Sequence, residues 1–121
     1  MTDSFSAVSE GLDKNALKDL MGRDPRLGFL PELVSLAKGT INPAKIVLFG
    51  SRARGDARER SDVDLAFVLD EKACPSRWGA FATAAREDLR TLLELDLVKF
   101  NEVSQAFSET IVSTGIVIYE R

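Results

Sequence analysis

Acidic side chains inside two apolar stretches are the residues of this chain best suited to chemistry. Residues 63–69 form an otherwise apolar run, typical of a strand buried on both faces, that contains Asp64 and directly follows Asp62. Asp96 is enclosed in the same way within residues 95–98. A carboxylate in such surroundings is unfavourable unless a metal, another cation or hydrogen-bond donors compensate its charge. The sequence therefore indicates a site at which these aspartates meet a compensating group.

The chemistry expected of three aspartates is that of a hard divalent cation carrying phosphate. Asp62 and Asp64 share a face if they lie on one strand, with Cα atoms roughly 6.5 Å apart. If Asp96 lies on a neighbouring strand, the three carboxylates can converge, and such ligands favour Mg²⁺ or Mn²⁺ over zinc. A metal of this kind can neutralise a triphosphate, and a second metal can activate an attacking hydroxyl group. Asp96 can also act as a general base, so the sequence leaves open whether it is a ligand, a base or both.

A glycine–serine pair, Gly50 and Ser51, ends the first apolar run at residues 46–49. Glycine allows the backbone to approach a phosphate closely, and backbone amides in the following turn, with the Ser51 hydroxyl, can hold phosphate oxygens. Neither a Walker pattern nor a GxGxxG fingerprint is found at this position. A nucleotide site here would therefore be of another type.

The composition excludes several kinds of site. The chain has no histidine, which removes imidazole catalysis, Ser-His and Cys-His nucleophile pairs and His-type zinc sites. Cys74 is the only cysteine, so no internal disulfide can form and a reducing compartment is expected. A net charge of −3 argues against a broad nucleic-acid-binding face. Because we find no secretory signal and no membrane-spanning stretch, we expect a cytoplasmic protein that does not bind membranes.

The 121 residues predict a flexible tail over residues 1–11 and one domain over residues 12–121. Strands alternate with helices, so the fold class is α/β (α+β), with a small mixed sheet covered by helices on at least one face. Ser76 and Asn101 are predicted to cap the third and fourth helices. The predicted helices are 12–21, 31–38, 76–94 and 101–115, with a helical turn at 51–55, and the predicted strands are 45–50, 62–69, 95–100 and 116–119.

The spacing of the glycine–serine pair and the aspartates resembles a known motif. Residues 50–51 (Gly-Ser), ten intervening residues and residues 62–64 (Asp-Val-Asp) are similar to the GS-x10-DxD motif of the polymerase-β-like nucleotidyltransferase superfamily. Asp96 occupies the place of that family's third carboxylate. The short chain resembles the minimal nucleotidyltransferase (MNT) branch over about residues 31–121.

The resemblance implies the polymerase-β-like nucleotidyltransferase fold and a metal-dependent reaction with ATP as the donor. It implies a catalytic, metal-binding group consisting of Asp62, Asp64 and Asp96. Gly50 and Ser51 would hold the triphosphate, and Arg52 and Ser61, at the two ends of the intervening loop, are further candidates for nucleotide binding.

Proteins of the MNT branch commonly resemble antitoxins that are paired with HEPN-domain toxins. The resemblance implies transfer of AMP from ATP to a tyrosine of the toxin. Toxins of that kind carry an Arg-x4-His motif, which a chain without histidine cannot contain. This chain would therefore be the partner. Two alternatives stay open: a non-catalytic antitoxin that neutralises the toxin by binding alone, and a small-molecule nucleotidyltransferase that needs a second subunit.

Overall fold

A single sheet with helices on both faces forms the fold in the computed structural model, which describes residues 11–12 and 14–121. The strands are β1 (Gly11–Leu12), β2 (Lys45–Phe49), β3 (Val63–Val68), β4 (Leu95–Lys99) and β5 (Ile116–Glu120). The helices are α1 (Lys14–Arg23), α2 (Leu30–Thr40), α3 (Ser51–Arg54), α4 (Trp78–Asp88) and α5 (Gln105–Thr114). Short 3₁₀ helices occupy Pro25–Phe29, Pro75–Arg77 and Phe100–Glu102.

The strand order is β1-β5-β2-β3-β4, and only the β3–β4 pair is parallel among the described strands. A parallel pair needs a crossover connection, which α4 supplies between β3 and β4. The prediction of a small mixed sheet in an α/β domain is therefore confirmed.

Alternation along β3 divides its side chains between two cores. Val63, Leu65 and Phe67 are fully buried in the larger core, which the sheet forms with helices α1, α2 and α4. Ala66 belongs to a smaller cluster, which includes Ile111 of α5 on the other face. Asp64 alternates to the same face as Ala66, so its carboxylate lies on the side of the sheet that α5 covers only in part.

The predicted helix over residues 76–94 is too long, and this prediction is wrong at both ends. Ser76 lies inside a 3₁₀ helix rather than at a cap, and α4 ends at Asp88. Leu89 takes an extended conformation, and the carbonyl of Glu94 accepts a hydrogen bond from the amide of Val63. The chain must therefore leave the helix early enough to run beside β3, and Leu92, which lies within the predicted helix, is fully exposed.

Asn101 is not the cap of the last helix. Ser104 takes that position, because its hydroxyl accepts a hydrogen bond from the amide of Phe107, whereas the Asn101 side chain accepts one from the amide of Leu69. The predicted end of this helix at Gly115 is confirmed. The other predicted helices and strands are present, with bounds that differ by up to two residues.

The predicted tail lies outside the described residues except for Gly11, which pairs with Glu120 across β1 and β5. The division of the chain at residues 11 and 12 therefore stays a prediction. Every helix in the described part of the chain is too short or too polar to cross a lipid bilayer.

Candidate active site

Asp64 and Asp96 lie side by side on the parallel strands β3 and β4. They are partners in the strand register, so their side chains leave the same face of the sheet from backbones about 4.8 Å apart. Asp64 is half-buried and Asp96 is exposed. The predicted convergence of these two carboxylates therefore has a direct cause in the strand pairing. Asp62 is exposed and lies in the loop that enters β3, two residues before Asp64.

Burial and the neighbouring carboxylates together disfavour the charged form of Asp64. The pKa of the Asp64 carboxyl is raised to about 6, first because burial disfavours its charged form and then because of the charge and hydrogen bonding of Asp96 beside it. Asp62 raises this pKa further, while the guanidinium of Arg54 acts in the opposite direction. The three aspartates therefore form a region of negative charge in which a cation would be favourable.

The bend at Gly50 lies directly against Asp64. Gly50 has φ 76° and ψ −158°, a conformation that is essentially restricted to glycine. A Cβ atom at this position would collide with the Oδ2 atom of Asp64. The chain continues at once into α3, which begins at Ser51 and ends at Arg54, with Gly55 as its C-cap in the left-handed conformation. The glycine–serine pair and the aspartates are thus adjacent in space.

Arg52 and Ser61 are also brought together, but through contacts within the protein. The Arg52 side chain is only 2% exposed, and its Nη1 atom donates to Oδ2 of Asp24 at 2.7 Å. Its Nη2 atom donates to the carbonyls of Glu59 and Ser61 at 3.1 and 2.9 Å. The Ser61 hydroxyl accepts from the amide of Arg58. Nucleotide binding by Arg52 and Ser61 stays a prediction, and the contacts described here give both residues a place in holding the loop.

Asp24 is the residue near this site that sequence reasoning missed. Asp24 caps the 3₁₀ helix Pro25–Phe29, where one carboxylate oxygen accepts from the amide of Arg26. Its second carboxylate oxygen, however, binds Arg52, which is 28 residues further along the chain. No local pattern in the sequence signals such a pair.

The residues present fit a divalent cation that substrate helps to hold. Among residues 11–12 and 14–121, no three acidic or cysteine side chains are gathered closely enough to bind a metal by themselves. Mg²⁺, however, is usually held by one or two carboxylates, with water and substrate phosphates completing its shell. Asp64 and Asp96 supply such a pair, so the donor set is appropriate for Mg²⁺ or Mn²⁺.

Most of the chain matches one family of known proteins. Residues 32–121 match the family described as polymerase beta, nucleotidyltransferase. No curated protein matches the chain in sequence. One structure of a toxin–antitoxin with AMP-PNP is similar with a TM-score of 0.59 and 22% identity, over 75% of this chain and 73% of the other.

Two further structures share the fold. A mutant form of the toxin–antitoxin MntA–HpeT matches with a TM-score of 0.56 and 25% identity, over 76% of this chain and 72% of the other. The tri-AMPylated HEPN toxin of Shewanella oneidensis in complex with its MNT antitoxin matches with a TM-score of 0.56 and 19% identity, over 79% and 73% of the two chains.

Proposed function

The chain belongs to the polymerase beta nucleotidyltransferase family, and from this membership we propose that it transfers AMP from ATP to a tyrosine hydroxyl of a HEPN-domain toxin, for which it acts as the antitoxin. The family match covers residues 32–121 and supports nucleotidyl transfer as the reaction. The choice of a toxin as acceptor is supported by the similar structures, one of which contains an AMPylated HEPN toxin with an MNT antitoxin.

The pairing of Asp64 with Asp96 beside the Gly50 bend is the observation that carries this proposal. Two carboxylates that face each other across parallel strands attract a divalent cation. Gly50 itself carries no side chain and lies against the Asp64 carboxylate, so a phosphate held by the backbone amides of the turn that follows would lie close to these carboxylates. Metal-binding carboxylates and a phosphate-binding bend are thus adjacent, as transfer from a nucleoside triphosphate requires.

In the proposed reaction, the acceptor hydroxyl oxygen forms a bond to the α-phosphorus of ATP, and the bond from that phosphorus to the β-bridging oxygen breaks. Pyrophosphate leaves, and AMP stays on the acceptor. We assign the hydroxyl proton to a carboxylate oxygen of Asp96, because this side chain is exposed and lies beside Asp64. A bound Mg²⁺ would neutralise the charge of the triphosphate. Gly50 and Ser51 orient the triphosphate in this proposal.

A labelling experiment tests the proposal. The chain is incubated with Mg²⁺, the protein encoded by the adjacent gene and ATP labelled either at the α- or at the γ-phosphate. We expect the partner to take up the α-label and not the γ-label, and mass spectrometry to locate AMP on a tyrosine. Uptake of the γ-label would instead indicate phosphoryl transfer and would contradict the proposal.

Matched variants separate catalysis from binding. We expect Asp64→Asn to abolish labelling and Asp88→Asn, an exposed aspartate at the end of α4, to leave it unchanged. If Asp64→Asn still neutralises the toxin fully in cells, the protein is an antitoxin that acts by binding. If the label appears on a small molecule and not on the partner, the protein is a small-molecule nucleotidyltransferase.

A further inference from the structure

The segment before the family-matched region contacts the proposed nucleotide-binding loop. The family match begins at residue 32, whereas Arg23 and Asp24 lie at and just after the end of α1. Asp24 binds the buried guanidinium of Arg52, and Arg23 donates to the carbonyls of Arg52 and Ala53 at the end of α3, both at 3.4 Å. Both residues of this earlier segment thus contact the turn that follows Gly50.

The guanidinium of Arg52 connects three parts of the chain. It binds Asp24 at 2.7 Å on one side and the carbonyls of Glu59 and Ser61 on the other. Ser61 is followed directly by Asp62, which lies in the approach to β3. These four residues, Asp24, Arg52, Glu59 and Ser61, are called the Arg52 latch below.

Burial makes the ion pair of the latch a strong constraint. The Arg52 side chain is 2% exposed and that of Asp24 is 19% exposed, whereas the nearby pair Arg26–Glu59 is 49% and 75% exposed. A buried guanidinium without its carboxylate is an uncompensated charge, while loss of an exposed pair changes little. A planar guanidinium also fixes its acceptors in direction, which a lysine ammonium cannot do.

We propose that Asp24 is a positioning residue for nucleotidyl transfer. Through Arg52 it fixes the Ser61 carbonyl, and it thereby fixes the position of Asp62 relative to Asp64 and Asp96. Asp24, which precedes the family-matched region, then supports the site as well as capping the 3₁₀ helix. The consequence for catalysis rests on the proposed function, whereas the consequence for the loop rests on the contacts of the latch.

The variant that tests the latch is Asp24→Asn. Asparagine caps a helix as well as aspartate does, so the cap on the 3₁₀ helix is kept and the ionic contact with Arg52 is lost. We expect the Mg²⁺ concentration that half-saturates AMP transfer to rise about tenfold, as is typical when a group supporting a metal ligand is removed. We expect trypsin to cleave after Arg58 and Arg60, which are exposed in the loop, several times faster than in the original protein.

Two further variants complete the test. Arg26→Gln, in the same 3₁₀ helix, removes the exposed ion pair with the Glu59 side chain but leaves the Glu59 carbonyl that accepts from Arg52, so both readouts should stay close to those of the original protein. Asp24→Glu keeps the negative charge, so its half-saturating Mg²⁺ concentration should lie close to that of the original protein. A merely structural role would lower the folded, active fraction without changing the half-saturating Mg²⁺ concentration, and that result would overturn the proposal.

The two proposals fail in different ways. If the original protein transfers no label to any acceptor, the proposed function fails, and the tryptic cleavage rates alone decide the latch. Faster cleavage in Asp24→Asn and Arg52→Lys than in Arg26→Gln supports the latch, and equal rates in all three overturn it. Should Asp24→Asn not fold, Arg52→Lys takes its place in both measurements, because one ammonium group cannot serve the three acceptors of Arg52.

Discussion

The Asp64 carboxylate lies where a side chain at Gly50 would have to be. A Cβ atom built on Gly50 would collide with Oδ2 of Asp64 and would stand 3.1 Å from its Cγ. The two residues are held there by the strands, since Phe49, which precedes Gly50, is the register partner of Asp64. The absence of a side chain at Gly50 is thus what allows the Asp64 carboxylate to lie against the bend.

Replacing Gly50 by alanine should therefore damage the site. The positive φ costs about 1–3 kcal/mol in a residue with a side chain, and the new methyl group must displace the Asp64 carboxylate as well. We expect Gly50→Ala to lower the free energy of unfolding by at least about 2 kcal/mol in urea titrations. AMP transfer should fall about a hundredfold, because reacting groups tolerate little displacement.

Gly39→Ala is the matched control for this prediction. Gly39 lies inside α2, and a Cβ atom there would meet nothing within 4 Å. Alanine should stabilise the helix by about 0.5–1 kcal/mol and leave transfer unchanged. If Gly50→Ala were as stable and active as Gly39→Ala, the contact between Gly50 and Asp64 would be needed neither for stability nor for AMP transfer.

Local sequence patterns predicted the two strands that carry Asp64 and Asp96. The apolar runs around Asp64 and Asp96 predicted two strands, and these strands are neighbours in the sheet. What no pattern predicted is the burial of Arg52. A loop rich in arginine favours solvent exposure, and the partner of Arg52 stands 28 residues earlier in the chain. Only the tertiary fold, which places the end of α1 beside α3, brings the two together.

The length of α4 is a second feature that periodicity could not predict. Apolar residues continue at helical spacing through Leu92 and Leu93, but the chain must reach β4 beside β3, and the connection ends the helix first. We expect Leu92→Gln to change the free energy of unfolding by less than about 0.5 kcal/mol, because Leu92 is fully exposed. Leu89→Gln, at a position that is 8% exposed in the core, should cost roughly 2–4 kcal/mol. Equal costs in urea unfolding would show that the helix continues past Asp88.

The two faces of the sheet should differ in their sensitivity to mutation. Phe81 of α4 is fully buried, and its ring lies edge-on to that of Phe67 with the ring centroids 5.1 Å apart. Phe107 of α5 is 37% exposed, and the centroid of its ring lies 5.6 Å from that of Phe49. We expect Phe81→Ala to cost about 3–5 kcal/mol and Phe107→Ala about 1–2 kcal/mol in unfolding experiments. A larger cost for Phe107→Ala would mean that α5 and its small cluster carry more of the stability than their burial indicates.

The last strand is fixed by a bidentate ion pair. Arg121 follows β5 directly, and its Nη1 and Nη2 atoms donate to the two carboxylate oxygens of Asp70 at 2.7 and 2.8 Å. Nη2 also donates to the carbonyl of Asn42. Hydrogen bonding from Arg121 holds the pKa of Asp70 below its ordinary value of 3.8. This pair joins the end of β5 to the connection that follows β3.

The ion pair between Asp70 and Arg121 should stabilise the protein at neutral pH and lose its effect in acid. Because the pKa of Asp70 is lower in the folded protein than in the unfolded chain, the stabilisation is complete above the ordinary value of 3.8 and is lost as the pH falls through the lower folded value. We expect Asp70→Asn to cost about 1 kcal/mol at pH 7 and progressively less as the pH falls below 3.8, as measured by urea unfolding at each pH. Asp88→Asn, at an exposed position, should show no such trend. A cost for Asp70→Asn that did not decrease in acid would mean that the carboxylate charge contributes little to the contact with Arg121.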